Sequence, residues 1–88
     1  MLYYDIAYHI NGGLVMRLTN ADDYAGKELL VHAVYTEIAK HDAGRPTKSV
    51  TILIPTDIEA DDAEIDKFIA EFNTRERSYE YKMQKEYR

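Results

Sequence analysis

The chain contains no cysteine and no tryptophan among its 88 residues. Without thiols there is no disulfide, no thiolate zinc site and no cysteine nucleophile, and the composition suits a reducing, cytoplasmic setting. The four glycines stand at 12, 13, 26 and 44, too scattered for a dinucleotide or phosphate loop. Serine occurs only at Ser49 and Ser78, and neither lies in a Gly-x-Ser-x-Gly turn, so serine nucleophile chemistry has no candidate. Apolar runs are as short as Ile52-Leu53-Ile54, far below the roughly 20 residues that cross a bilayer. The opening Met1-Leu2-Tyr3-Tyr4-Asp5 has no basic region followed by an apolar stretch, so no secretory signal and no membrane partner are expected.

What is present is acid, tyrosine and a regular apolar pattern. The net charge is −5. Residues 1–73 hold six Lys/Arg against thirteen Asp/Glu, while residues 74–88 hold five against three. An acidic body repels nucleic-acid phosphates, and only the basic, tyrosine-bearing tail argues the other way. A single domain spanning residues 1–88 is expected from the length.

Leu2, Tyr4, Ile6, Tyr8 and Ile10 alternate with Tyr3, Asp5, Ala7 and His9, the pattern of a half-buried strand. A second strand alternates Leu14, Met16 and Leu18 against Val15, Arg17 and Thr19. A three-residue loop at Asn11-Gly12-Gly13 pairs Ile10 with Leu14, Tyr8 with Met16 and Ile6 with Leu18, bringing the two apolar sets onto one face.

A first helix is expected to start from a cap at Thr19 or Asn20, with Asp22 and Asp23 at its positive end. Its stripe is Leu30, Val31, Val34 and Ile38, and Gly44 and Pro46 end it. Ser49–Ile54 reads as a buried third strand closed by Pro55. A second helix carries Ile65, Phe68, Ile69 and Phe72, with its start divided between Thr56/Glu59 and Asp61/Glu64 capping boxes. Residues 75–88 read as an extended C-terminal helix or a tail, with Tyr79, Met83 and Tyr87 at helical spacing.

The expected fold is therefore α+β: a small two-layer sandwich in ββαβα order. A right-handed crossover makes strands two and three parallel. The three-stranded sheet takes the order 2-1-3, with 1-2-3 as the alternative, and both helices cover one face.

The chemistry-bearing clusters are few. Asp57, Glu59, Asp61, Asp62, Glu64 and Asp66 place six acids in ten residues without a base. The run imitates the start of a calcium loop but has Asp62 where glycine is needed and Phe68 where a bidentate glutamate is needed. Glu28/His32 and Glu37/His41 stand at ion-pair spacing on the first helix. The two histidines lie about 13 Å apart along a helix axis, too far to share a metal. No catalytic residue, metal or cofactor is assigned.

By elimination the expected function is a non-enzymatic, acidic protein-binding module. One form is an inhibitor or adaptor occupying a basic surface on its partner, as a phage-type inhibitor of a nucleic-acid-handling defence complex would. The acid run from Asp57 to Asp66 is the expected contact surface. Self-association as a homodimer is expected through Tyr3, Val15, Leu53, Tyr79, Met83 and Tyr87, some on the uncovered sheet face and some on the last helix. The alternatives are an accessory protein contacting nucleic acid through the tail and a small metal-dependent enzyme.

Overall fold

Asn11 and Gly12 determine how the sheet begins. Both hold left-handed backbone, with φ of 52° and 84°, the signature of the two-residue turn that Asn-Gly favours because its twist matches the flanking strands. Ile10 consequently pairs with Gly13, and strand β1 (Tyr3–Ile10) runs antiparallel to β2 (Gly13–Thr19). The loop is one residue shorter than the sequence pattern suggests, which shifts every partner. Tyr8 faces Val15 and Ile6 faces Arg17, not Met16 and Leu18.

A β-bulge reconciles this register with a single core. The pairing slips between Tyr4 and Ile6, so Asp5 is the extra residue of β1. Before the bulge, Tyr4 faces Leu18 and is buried; after it, Ala7 faces Met16 and His9 faces Leu14 on that same inner side. One inserted residue inverts the alternation, so Ile6, Tyr8 and Ile10 turn to the outer face.

The computed structural model describes residues 1–20, 28, 29, 31–42, 44, 46–75 and 82–88, with the backbone alone for Val31, His32 and His41. The remaining elements are α1 (Val31–Asp42), β3 (Ser49–Ile54), α2 (Asp62–Arg75) and β4 (Met83–Tyr87). The sheet order is β1-β2-β3-β4, with β2, β3 and β4 mutually parallel. Strands two and three are parallel as expected, but they are also neighbours, so the first three strands take the alternative order 1-2-3 and not 2-1-3. The sheet also has a fourth strand. Residues 83–87, expected to continue a helix, pair with β3 instead and make it a central strand, so the charge-free Ser49–Ile54 is no exposed edge.

The first helix also begins later than its pattern implies. Glu28 bridges Tyr3 in antiparallel fashion, and Leu29 donates its N–H to the Leu2 carbonyl at 2.7 Å, so neither residue is helical. The capping acids Asp22 and Asp23 lie outside the described residues, as do Leu30 and Tyr79. At the other end, the Asp42 carboxylate accepts from both Thr47 N–H (2.8 Å) and Thr47 hydroxyl (2.7 Å), tying the helix exit to the approach of β3.

The core lies on one face of the sheet. Leu14, Met16 and Leu18 of β2 and Val50, Ile52 and Ile54 of β3 join Val34 and Ile38 of α1 and Ile65, Phe68 and Phe72 of α2. Both helices therefore cover the same side, as two right-handed crossovers advancing in one direction require. Tyr35 stacks on Phe72 at 5.7 Å between ring centres, linking the two helices. Together these elements form one small α+β domain.

β4 is held by α2 as well as by β3. The Asn73 amide accepts from Met83 N–H at 2.8 Å and donates to the Met83 carbonyl at 3.1 Å, acting as a strand residue would. Met83 is 3% exposed and belongs to the core, which corrects its assignment to a self-association surface.

Candidate functional site

Among the described residues no helix lies over the outer sheet face, and its content follows from the register. Tyr8, Val15, Thr51 and Gln84 form one row across the four strands; Ile6, Arg17, Leu53 and Glu86 form the next. Gln84 donates to the Thr51 hydroxyl at 3.3 Å, giving the β3–β4 half a polar, self-satisfied surface. The β1–β2 half differs. Ile6, Tyr8 and Ile10 are 41%, 39% and 58% exposed and stand in line on one strand. These three were expected in the core, and the bulge moves them outward.

Val15 and Leu53 belong to the outer face as expected. Leu53 is 7% exposed yet stands apart from the main core, in a groove with Arg17, Pro55 and Ile58. Tyr3 lies opposite Thr19 at the far end of the face, half-buried, with its hydroxyl donating to the Met1 sulfur at 3.6 Å. Tyr87 is on the other, helix-bearing side: its hydroxyl donates to Asp62 at 2.8 Å.

The groove, about 560 Å³, opens where β2 and β3 end, between Asp5, Arg17, Thr19, Asp57 and Arg88. Arg17 donates to Asp5 twice, from Nε at 3.0 Å and Nη2 at 2.7 Å. That bidentate contact is the main reason the Asp5 carboxyl titrates below its ordinary range; burial opposes it, while Coulomb attraction to Arg17 and backbone N–H donors at the bulge add to it. Arg88 donates to Glu86 at 3.3 Å. Both guanidinium groups thus face carboxylates of their own chain, and the groove offers little net charge to an ionic ligand.

The acid run is largely engaged in folding. Asp61 caps α2, accepting from Ala63 N–H at 3.0 Å and Glu64 N–H at 3.2 Å, which settles the helix start in favour of the second capping box. Asp62 holds Tyr87, Glu64 meets the Met1 amino group at 3.1 Å, and Asp66 meets Lys85 at 2.7 Å. Asp66 raises the Lys85 pKa, with a smaller contribution from Tyr87, over whose ring the ammonium sits at 5.4 Å. Asp57 and Glu59 are exposed and form no hydrogen bond or ion pair with a described residue.

Among the described residues, no three His, Asp or Glu side chains gather to hold a metal ion, and no helix is long and apolar enough to cross a membrane. Comparison with known proteins gives no matching family model, curated protein or solved structure.

Proposed function

We propose that this chain is a small, non-catalytic protein-binding module that works through the β1–β2 half of its outer sheet face. The observation that carries the reading is the exposed row Ile6, Tyr8 and Ile10, aligned on one strand and flanked by Val15. A contiguous apolar group on a small acidic domain marks an interaction surface, and tyrosine supplies large amphipathic contact area at low entropy cost.

A second reading, an inhibitor or adaptor occupying a basic surface, draws on Asp57 and Glu59, the two acids of the run left exposed without a described hydrogen bond or ion pair. Such acids would mainly speed association and be screened by salt.

Capture from an extract of the native host separates the two. Immobilised parent, Tyr8→Lys, and the Asp57→Lys/Glu59→Lys double variant are compared near physiological salt. Proteins retained by the parent and double variant but lost with Tyr8→Lys support the sheet face. Loss with the acid reversal alone transfers the function to the acid run.

A further inference from the structure

We infer that the occupant of the Ile6/Tyr8/Ile10 face is a second copy of this chain, packed face to face about a two-fold axis near Tyr8; this rests on the reading of that face as the contact surface. Charge carries the argument first. The chain bears −5 overall, so two copies repel unless they meet where charge is cancelled. On the outer face it is: Arg17 is paired with Asp5 and Arg88 with Glu86. Of the acids of α2, which packs on the other face of the sheet, Asp62 and Asp66 contact side chains of β4 and Glu64 pairs with the Met1 amino group. In the two rows that hold Tyr8 and Ile6, the charged side chains are Arg17 and Glu86, each paired within the chain. Neither a basic nor an acidic partner therefore meets an unpaired countercharge there; Lys48 is exposed beyond the rows, at the hairpin turn. An identical copy presents the same neutral, apolar surface.

Geometry carries it second. A two-fold axis places each patch against itself, so an interface needs only self-complementarity. Tyr8 and Val15 face one another across β1 and β2 with Ile6 and Ile10 on either side, so Tyr8 is the centre of the patch. Two such faces pack as aligned sheets about 10 Å apart, with side chains interdigitating.

Area sets the strength. Four strands give a face of roughly 19 by 23 Å in projection from standard strand spacing and rise. Only its β1–β2 half is apolar, below the roughly 800 Å² per partner of a standard interface, so the dimer is a weak one with a dissociation constant in the micromolar range.

Sedimentation equilibrium on the full chain tests this from low to high micromolar concentration. The parent should move from a 10.2 kDa monomer toward twice that mass. Tyr8→Lys and Ile10→Lys each set like charges against each other across the axis and should raise the dissociation constant at least tenfold. Both side chains are substantially exposed, so thermal melts should confirm that each variant folds. Glu59→Lys, which lies off the patch and lowers the net negative charge, should not weaken the association. A single 10.2 kDa species throughout, or a dimer that neither lysine weakens, overturns the inference. A monomeric parent whose capture of a foreign protein is abolished by Tyr8→Lys would reject self-association while leaving the face as the binding surface.

Discussion

Arg17 on β2 grips Asp5, the extra residue of the β1 bulge, through two parallel hydrogen bonds of 3.0 and 2.7 Å. The pair locks the point where the strand changes face: residues before it bury Leu2 and Tyr4, and residues after it expose Ile6, Tyr8 and Ile10. The Asp5 carboxyl titrates below its ordinary value, so its contribution to stability is present above about pH 4 and is lost as the pH falls through the lowered native value. Urea unfolding between pH 2 and 6 should show stability falling on the acid side. Asp5→Asn should flatten that limb, and an unchanged acid profile would separate the ion pair from the stability of the hairpin.

The hairpin turn makes a second prediction. Gly12 holds φ of 84°, where a Cβ is strained, and an added Cβ would also lie 3.0 Å from the Lys48 side chain. Gly12→Ala should cost about 1–2 kcal/mol, measured as a lower denaturation midpoint. Asn11→Gly, which suits the same turn, should cost far less. Equal effects would contradict the two-residue turn.

Asn73 offers a test of the last strand. Replacing it with Ala leaves the Met83 N–H and carbonyl without their amide partner, at a cost of about 1–3 kcal/mol. Amide hydrogen exchange should speed up more along β4 than along β1. Uniform acceleration would mean that Asn73 does not hold β4 locally.

Phe72 is 1% exposed and stacks against Tyr35. Phe72→Ala should cost about 3–5 kcal/mol, a large part of the roughly 5–15 kcal/mol available to a domain. A variant melting within a few degrees of the parent would show that this contact is not central to the core.

Charge reversal in the acid run should separate structure from binding. Asp61→Lys removes the α2 cap and should lower stability by about 0.5–2 kcal/mol. Asp57→Lys and Glu59→Lys remove no described hydrogen bond or ion pair, only a Coulomb attraction of Asp57 to Arg17 across the groove, and should leave the melting temperature nearly unchanged. Only the latter pair therefore tests binding cleanly. A comparable loss of stability from both would give Asp57 and Glu59 a structural role.

Much of the architecture is legible in the chain itself. The helical stripes of Val34/Ile38 and Ile65/Phe68/Phe72 lead into the core, and the length between β2 and β3 implies their parallel crossover. The first strand misleads for a definite reason. Its alternation runs unbroken from Leu2 to Ile10, and period-two patterning has no mark for an inserted residue. The signal was the Asn11-Gly12 dipeptide, whose preference for two-residue turns contradicts a single continuous apolar face. The fourth strand is hidden differently. Met83-Gln84-Lys85-Glu86-Tyr87 is an edge with one buried side chain, and Tyr79, Met83 and Tyr87 imitate a helix at four-residue spacing. Ser49–Ile54 held the missing clue: a strand so uncharged is safe only with neighbours on both sides. The outer apolar row could not be read at all until the bulge was known.

The position of β4 has a consequence for how the protein is made. Its Gln84 reaches Thr51, 33 residues earlier in the chain. A ribosome delivers residues in order, at about 5–20 per second, so β3 emerges well before the strand that shields its outer side. For that interval Ser49–Ile54, a charge-free segment rich in β-branched residues, can pair with any similar segment nearby. The charged strand Met83–Tyr87, made after β3, can cover that charge-free stretch only once it has followed it out. Synthesis interrupted before residue 83 would release a product with that stretch uncapped, prone to clump and suited to prompt degradation.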